Sequence, residues 1–355
     1  MKVLLIIIGV IVVICLLMLA FVRFIFEQTY KAFNIDPQDE VMLYHFPHYE
    51  KLGYERNPVE FPSLDGNMLK GYIYEPILQP QDQPKGLIVF SHGIWSGPEE
   101  YLILITWLVR HGWKVFTYNY TAYNGSQGKS AKGLLQSPLD LHAALNYIEA
   151  NPELNKYKKV LLGHSWGAYA TSAVLNYDHD VYAACSMSGF NDPLTISVEA
   201  GKQMFGPVAG ILKPFINIIN HMRFGSQADM TAVDGINKSG IPVLLSHGTG
   251  DDFIVYNVSS IVCHKDEITN PNVRYITLDE TGRNGHANFF GTAESEAYLA
   301  DIMADVKEMQ KHYPKGKIPH DVKVEYIATK DRDKVNQPNE QFYAQIDEFL
   351  AEAVK

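Results

Sequence analysis

The chain has 355 residues, of which 46% are hydrophobic and 20% are charged, a composition typical of a globular protein with one large domain or two small ones. Its formal net charge of −10 and the lack of a basic stripe argue against a nucleic-acid-binding protein, because such proteins need clustered lysine and arginine. The three cysteines, Cys15, Cys185 and Cys263, have the spacing of neither a disulfide framework nor a zinc site.

The N-terminal segment is far more apolar than the rest of the chain. Residues 3–22 contain no charge, and twenty residues of helix are about the length that crosses the hydrocarbon layer of a membrane. We therefore predict a single-pass anchor in the cell membrane over residues 1–23. A removed signal peptide is the alternative, although the run is long and lacks a small-x-small exit. The charges of Lys2 and Arg23 oppose each other, so they do not fix the orientation; we expect the following domain on the outer face.

A short connecting region and a hairpin follow the apolar run. Residues 24–57 are rich in aromatic side chains, are interrupted by prolines, and are interpreted as a connecting segment. One domain is expected over residues 58–355. It begins with a predicted β-hairpin, in which Asp65 and Gly66 supply the turn, and continues through a polar, proline-rich loop at residues 79–84.

Beyond this loop, apolar strands alternate with helices. Strands are predicted at 86–93, 114–120, 158–165, 181–189, 241–248 and 273–280, and helices at 98–111, 137–150, 166–176 and 340–354. Strands that are apolar throughout and alternate with helices indicate an α/β fold with a mainly parallel, doubly wound sheet covered on both faces. For the helix at 137–150, we predict that Ser137 is the N-cap and that Asp140 completes a capping box.

The regular alternation is interrupted once. Between Gly189 and Gly240 the sequence has no clean strand, and an apolar stretch with helical periodicity takes its place. Because the alternation resumes directly afterwards, residues 190–238 are interpreted as a helical insertion over the sheet.

The sequence GHSWG, residues 163–167, lies where a predicted strand passes into a predicted helix. This G-x-S-x-G pattern is weak alone, but in a strand–turn–helix context it is typical of a nucleophile elbow. The small glycines let strand and helix approach each other, and the turn aims the Ser165 hydroxyl away from the sheet. The N–H of Trp166 would lie at the helix N-terminus, where it can help to bind an oxyanion.

A nucleophilic serine needs a base and an acid that orients the base, and the chain offers both downstream. Asp251 and Asp252 follow the strand predicted at 241–248, and His286 stands in a glycine-rich loop after the last strand. Carboxyl ends of parallel strands share one edge of the sheet, so these residues are expected near Ser165. The chain order Ser, Asp, His is the order that this architecture uses.

These motifs resemble the α/β-hydrolase superfamily from about residue 58 to the C-terminus. Within it, the chain is most similar to the bacterial lysophospholipase/monoacylglycerol-lipase-like and serine-aminopeptidase-like branch. The resemblance implies that SHGIW is an oxyanion loop in which Ile94 supplies a backbone N–H beside that of Trp166. It favours Asp251 as the acid, three residues after Gly248, and keeps Asp252 as the rival.

The resemblance also implies that the insertion is a cap over the active site. Apolar cap residues would then line or cover an acyl pocket, although many of them could simply pack the core of the cap; they are Met204, Phe205, Ile211, Leu212, Phe215, Ile218 and Ile219. Met204, Phe205 and Phe215 are the predicted substrate contacts. No motif requires a metal or another cofactor, and the sequence leaves the oligomeric state open.

The sequence thus predicts a membrane-anchored serine hydrolase that cleaves carboxylic esters, with a small-molecule substrate of lipid or acyl type. A peptidase of the same fold is one alternative. A non-catalytic binding module of the same fold is another, disfavoured because serine, acid and base are all present.

Overall fold

The computed structural model describes residues 1–36, 39–44, 46–77 and 82–355. The predicted loop at 79–84 lies partly outside these residues, as do parts of the predicted connecting segment 24–57. Within the described residues, one sheet contains eight strands: β1 (Arg56–Pro62), β2 (Met68–Tyr74), β3 (Leu87–Ser91), β4 (Lys114–Tyr118), β5 (Lys159–His164), β6 (Val181–Met187), β7 (Val243–Gly248) and β8 (Val273–Leu278).

The sheet is mainly parallel, as the alternation predicts. Its strand order is β1-β2-β4-β3-β5-β6-β7-β8, with antiparallel pairing only between β1 and β2 and between β2 and β4. The predicted hairpin is confirmed, since Pro62 pairs with Met68 and Gly66 adopts a φ of +79° in the turn between them. The order places the end of β5 near the middle of the sheet.

Helices of the described residues cover both faces of the sheet. They are α1 (Lys2–Thr29), α2 (Phe46–Glu50), α3 (Leu102–Arg110), α4 (Gln136–Ala150), α5 (Pro152–Asn155), α6 (Trp166–Ala173), α7 (Pro193–Phe205), α8 (Lys213–Phe224), α9 (Ala232–Ser239), α10 (Ala293–Gln310), α11 (His320–Ala328), α12 (Arg332–Val335) and α13 (Glu340–Val354). Side chains alternate across β3, so that Val89 packs in one hydrophobic core with α4 and α6, while Ile88 and Phe90 pack in the other with α3 and α13. The result is a doubly wound α/β fold.

The interruption between β6 and β7 is helical, as predicted. Residues 188–242 are all described and contain no strand; they form α7, α8, α9 and two 3₁₀ segments at Pro207–Leu212 and Gly225–Asp229. We use the name cap for residues 193–231, the part of the predicted insertion 190–238 that includes α7 and α8; its role as a cover over the active site stays a prediction.

The first helix, α1, is longer than the uncharged run. It continues through Arg23 to Thr29, and Arg23 forms an exposed ion pair with Glu27. Among the described residues it is the helix long and apolar enough to cross a membrane, and its most apolar window is not buried in the protein. A transmembrane helix shares these properties with a signal sequence.

The predicted N-terminal capping of helix α4 is wrong in its details. The helix begins at Gln136, and the Ser137 hydroxyl donates to the carbonyl oxygens of Leu134 and Trp166 instead of capping the helix. The Asp140 carboxylate is buried and accepts hydrogen bonds from the Thr121 N–H and hydroxyl. A tertiary contact to the loop after β4 therefore takes the place of the local capping box, because Ser137 lies inside the helix and the Asp140 carboxylate bonds to Thr121.

Candidate active site

Ser165 occupies a sharp turn between β5 and α6. Its φ is +58°, a value that side-chain-bearing residues rarely adopt, and its N–H donates to the Met187 carbonyl at 2.8 Å. The flanking glycines are required by contact distance. A Cβ on Gly163 would lie 2.2 Å from the Gly167 carbonyl oxygen, and one on Gly167 would lie 2.0 Å from that of Ser91. The G-x-S-x-G spacing thus permits the close approach of strand and helix that holds this turn.

Three side chains from three loops form one hydrogen-bonded chain. His286 Nε2 lies 2.9 Å from Ser165 Oγ, and His286 Nδ1 lies 2.8 Å from Asp251 Oδ2. An ionised carboxylate only accepts, so Nδ1 carries the proton and Nε2 is free to accept from the serine hydroxyl. The sequence separations are 121 and 35 residues, and the sheet brings the three groups to the same edge.

Asp251 is buried and fully hydrogen-bonded. Oδ1 accepts from the N–H groups of Phe253 and Ile254 at 2.9 and 2.8 Å, and Oδ2 also lies 3.1 Å from His247 Nε2. Burial acts to raise the pKa of Asp251, but the hydrogen bonds from His247 and His286 outweigh it and hold that pKa well below its usual range. This carboxylate therefore stays ionised and fixes the orientation of His286.

Asp252, the rival acid, occupies a different environment. Its residue is exposed to solvent, and its backbone carbonyl accepts a hydrogen bond from Gln203 Nε2 at 3.0 Å. The structure thus brings Asp251, rather than Asp252, to His286.

The acid loop and the histidine loop hold each other in place. The Gly250 N–H donates to the Asn284 carbonyl at 2.9 Å, and Asn284 Nδ2 donates to Thr249 Oγ1 at 3.2 Å. A Cβ on Gly248 would lie 2.2 Å from the Asn284 carbonyl oxygen, so close contact of the two loops requires glycine there. This packing fixes the distance between Asp251 and His286.

Two backbone N–H groups are available beside Ser165. Ile94 follows Gly93 in the loop after β3, and Trp166 is the first residue of α6. Among the hydrogen bonds of the described residues, neither of these N–H groups has an acceptor, whereas the preceding Gly93 N–H donates to Tyr101. The Trp166 N–H also carries the partial positive charge of a helix N-terminus. Both N–H groups are therefore without a protein acceptor among the described residues, which the predicted oxyanion site requires.

A buried hydrogen-bonded chain that the sequence did not predict links the Ile94 loop to the histidine loop. The Gly93 N–H donates to the Tyr101 hydroxyl at 3.1 Å, and this hydroxyl lies 2.9 Å from His164 Nδ1. His164 Nε2 lies 2.8 Å from the carbonyl oxygen of His286. That oxygen only accepts, so Nε2 carries the proton and the Tyr101 hydroxyl donates to Nδ1. Burial, with a smaller contribution from the charge of His286, lowers the pKa of His164 to about 3, which keeps its ring neutral.

A cavity of about 340 Å³ lies next to these groups. Its lining residues include Ile94, His164 and Ala287, and also Glu100 and Glu296. His164 and Ala287 are chain neighbours of Ser165 and His286, which are not themselves among the lining residues. None of the three predicted substrate contacts lines this cavity. Met204 and Phe205 are exposed on the outer surface of the cap, and Phe215 is half-buried against the main core. Among the described residues, no cluster of three or more His, Cys, Asp or Glu side chains could hold a metal ion.

Sequence reasoning missed His247 and Tyr101 as partners of the site. His247 is the second-last residue of β7 and precedes Asp251 by four residues, a position that sequence alone does not distinguish from that of any buried strand histidine. Tyr101 precedes α3 and is 63 residues from His164, with no motif that connects them.

Comparisons with known proteins agree with the observed fold. The model of the alpha/beta hydrolase family matches residues 88–338. The uncharacterized protein YfhR of Salmonella typhi is 22% identical over 230 residues, which are 63% of this chain and 75% of that protein. The esterase Pf2001 of Pyrococcus furiosus has a similar fold, with a TM-score of 0.53 at 18% identity over 80% of this chain and 99% of its own. An acylaminoacyl peptidase of Pyrococcus horikoshii gives a TM-score of 0.52 at 18% identity, over 80% of this chain and 46% of its own.

Proposed function

Because the chain belongs to the alpha/beta hydrolase family, we propose that it is a serine hydrolase that cleaves carboxylic esters through an acyl-enzyme. The observation that carries this proposal is the hydrogen-bonded chain from Asp251 through His286 to Ser165 at the turn between β5 and α6. A serine hydroxyl is a weak nucleophile by itself, and a neutral imidazole within hydrogen-bonding distance is the base that activates it.

In the proposed mechanism, Ser165 Oγ attacks the ester carbonyl while His286 Nε2 takes its proton. The Asp251 carboxylate fixes the Nδ1–H tautomer and stabilises the imidazolium that forms. His286 then gives the proton to the leaving alcohol, and the acyl group remains on Ser165. A water molecule, activated by the same imidazole, attacks the acyl-enzyme and releases the acid.

The negative charge of the tetrahedral intermediate needs donors that are already in place. The N–H groups of Ile94 and Trp166 meet this need, since neither is used elsewhere in the described structure. Removal of one such donor in a serine hydrolase costs about 10² to 10³ in rate. The hydrogen bond from Gly93 to Tyr101 supports the role of Ile94, because it fixes the preceding peptide.

We further propose that α1 anchors the protein in the cell membrane with the hydrolase domain on the outer face. The exposed apolar length of α1 supports the anchor. Full-length protein should then remain in the membrane pellet after high-salt and alkaline washes, because a spanning helix is held by the hydrophobic effect. N-terminal sequencing that finds the first residue after position 20 would instead reveal a removed signal peptide. Protease protection in sealed cells tests the side.

The hydrolase proposal is tested with a fluorophosphonate probe and a panel of p-nitrophenyl esters, monoacylglycerols and lysophospholipids. We expect covalent labelling of the wild-type protein and none of Ser165→Ala, together with ester turnover. A folded wild-type protein that the probe does not label would identify a binding module without catalytic activity.

Peptidase activity is the second candidate function, and one observation favours it. The cavity beside Ile94 and His164 contains the carboxylates of Glu100 and Glu296, which could bind the cationic amino terminus of a peptide. Burial raises the pKa of both carboxyls, so a bound cation would stabilise their ionised forms. Aminoacyl p-nitroanilides with free and acetylated amino groups test this function: preference for the free amine, lost in Glu100→Gln, supports a peptidase.

A further inference from the structure

The last turns of α1 belong to the folded body of the protein. Val22 and Phe26 are only 3% and 6% exposed, and both pack in the same hydrophobic core as Phe224 of α8. The Arg223 guanidinium lies 5.3 Å from the centre of the Phe26 ring. The carbonyl oxygen of Thr29 accepts a hydrogen bond from Trp95 Nε1 at 3.2 Å. Direct packing, rather than a linker alone, therefore joins the apolar helix to the cap and to the Ile94 loop.

The geometry of α1 defines where a membrane surface would lie. Residues 3–21 form a helix about 28 Å long at 1.5 Å per residue, close to the thickness of a hydrocarbon layer. Arg23 and Glu27 form the first exposed ion pair beyond it, so the layer would end near Phe21. At this level the Phe21 ring contacts the Phe205 ring of the cap, with 6.0 Å between the ring centres. The cap thus meets α1 where the hydrocarbon layer ends.

The cap surface around Phe205 is apolar. Six large hydrophobic side chains of the cap are between 45% and 69% exposed, and we call them the cap face: Met204, Phe205, Val208, Ile211, Ile218 and Met222. In α8, Ile216 and Ile219 are buried while Ile218 and Met222 are exposed, so this helix has apolar side chains on its outer side, next to the exposed Lys213 and His221, as well as on its inner side. Several large apolar side chains that are exposed in one segment favour an interaction site there.

The charge of the cap differs from that of the whole chain. Residues 193–231 contain three basic side chains (Lys202, Lys213 and Arg223) and two acidic ones (Glu199 and Asp229), whereas the complete chain has a net charge of −10. The cap would therefore not be repelled by anionic headgroups, as most of this acidic protein would be.

We propose that the cap face is embedded in the interfacial layer of the same bilayer that α1 spans. This inference rests on the proposed membrane anchor and extends it to a second point of attachment. The occupant of the cap face is lipid because the face contacts Phe21, a residue of the spanning helix itself. The active site then opens beside the membrane surface, because both neighbouring elements contact it. The Thr29 carbonyl of α1 accepts a hydrogen bond from Trp95, which follows Ile94. Gln203, which precedes Met204 of the cap face, donates a hydrogen bond to the carbonyl of Asp252, in the acid loop. The substrates are esters dissolved in the bilayer rather than in water.

The test uses full-length protein in phosphatidylcholine vesicles and an environment-sensitive NBD label on single cysteines. To place a label on α1, native Cys15 is labelled in the variant Cys263→Ser, which removes the other accessible cysteine. The third cysteine, Cys185, is buried and does not react with the label. The cap reporter is Val208→Cys and the matched control is Met303→Cys on α10, both with Cys15→Ser and Cys263→Ser. Val208 and Met303 have similar exposure, 64% and 59%, so they differ mainly in position. Lipids with a nitroxide at a shallow or a deep acyl carbon serve as quenchers.

We expect the deep nitroxide to quench the label on Cys15, the shallow nitroxide to quench the label at position 208, and neither to quench the label at position 303. A quenched label on Cys15 with an unquenched label at position 208 would overturn the cap inference and leave the anchor intact. An unquenched label on Cys15 would reject the anchor, and the cap inference would fall with it. Hydrolysis of a water-soluble ester by the same samples tests the hydrolase proposal separately.

An activity measurement gives the functional consequence. The double variant Val208→Ser/Met222→Ser should lose about tenfold in kcat/KM toward a long-chain monoacylglycerol in vesicles, because each change weakens interfacial binding. Its turnover of p-nitrophenyl acetate should equal that of the wild type, and Met303→Ser should change neither. An equal loss on both substrates, or no loss on vesicles, contradicts a membrane-bound cap face.

Discussion

Ser165 combines two features at the residue scale: a φ of +58° and a hydroxyl 2.9 Å from the His286 ring. The backbone can hold such a conformation because Gly163 and Gly167 leave room for strand and helix to touch. If the hydroxyl is the nucleophile, Ser165→Ala should lower kcat by about 10⁴ to 10⁶ without loss of fold. Alanine keeps the Cβ and removes only the reacting atom. Ester turnover and the melting temperature are measured together, and a purified variant with a tenth of wild-type turnover would reject this role.

The two adjacent aspartates give an internal control. Asp251→Asn should lower kcat by about 10⁴, because an amide in place of the carboxylate favours the wrong tautomer of His286. Asp252→Asn should change kcat little, since its side chain is exposed and makes none of the described contacts with His286. Both variants are assayed on the same ester. The reverse ranking would transfer the acid role to Asp252.

Tyr101 is expected to position the site without touching the substrate ester. Its hydroxyl joins Gly93, beside Ile94, to His164 and so to the carbonyl of His286. Tyr101→Phe should lower kcat by about 10- to 100-fold with little change in KM, because small displacements of both loops weaken transition-state contacts.

The matched control for Tyr101 is Tyr54→Phe, which removes a buried hydroxyl hydrogen bond of 2.7 Å to Thr106 in the same hydrophobic core. It should lower the melting temperature by a similar amount and leave kcat unchanged. Equal kcat values for the two variants would reduce Tyr101 to a structural residue.

The sequence predicts the candidate site residues that local patterns define and misses those that tertiary contacts define. Ser165 and His286 each follow a predicted strand at a position that the fold restricts, so strand prediction is enough to propose them. It leaves Asp251 and Asp252 as alternatives, and the family resemblance favours Asp251. His164 stands in the same motif, but its partners Tyr101 and the His286 carbonyl are 63 and 122 residues away. No rule of sequence spacing connects such residues. The cavity lined by Glu100 and Glu296 could not be predicted for the same reason, since these residues are far apart in the chain.

At the element scale, the same limit explains the error at α4. The start of this helix contains a serine, a proline and an aspartate in the order of a capping box, so the local prediction was reasonable. In the structure Asp140 instead joins α4 to the loop after β4 through Thr121. The tertiary contact of Asp140 with Thr121 forms in place of the local capping box because the N-terminal turn of α4 packs against the Ser165 turn. There the Ser137 hydroxyl donates to the Trp166 carbonyl and is not placed to cap the helix.

This contact makes stability depend on pH. Burial, opposed by hydrogen bonds from Thr121 and Gln136, raises the pKa of Asp140 from 3.8 to about 6. The folded state thus holds the proton more tightly than the unfolded state. The resulting stabilisation is complete below pH 3.8 and is lost as the pH rises through about 6, a change on the order of 3 kcal/mol.

Asp140→Asn should remove this pH dependence, because the amide does not titrate and can still hydrogen-bond with Thr121 and Gln136. Melting temperatures of the detergent-solubilised protein between pH 4 and pH 7 are the measurement. The wild type should lose stability relative to the variant as the pH rises. Parallel curves would mean that folding does not change the pKa of Asp140.

At the scale of the whole molecule, the length and composition of the apolar helix were readable from the sequence, but its attachment was not. From sequence alone, a chain that begins near Thr29 is expected to be soluble and active, since the predicted catalytic residues all lie beyond residue 58. The structure changes this expectation. Val22 and Phe26 fill part of the core beneath α8, and Thr29 supplies the acceptor for Trp95, so the end of α1 is a component of the hydrolase domain.

Two truncated chains separate the spanning part of α1 from its packed end. A chain of residues 21–355 keeps Val22, Phe26 and Thr29, whereas a chain of residues 30–355 lacks all three but keeps the buried Tyr30. Burial of two large apolar side chains contributes roughly 3–6 kcal/mol, so the shorter chain should unfold at a distinctly lower urea concentration. It should also turn over a soluble ester more slowly, because Trp95 loses its acceptor next to Ile94.

Both chains lack most of the apolar run, so a difference between them cannot come from loss of the anchor. Equal urea midpoints and equal turnover would show that the end of α1 serves only to connect the membrane helix to the hydrolase domain.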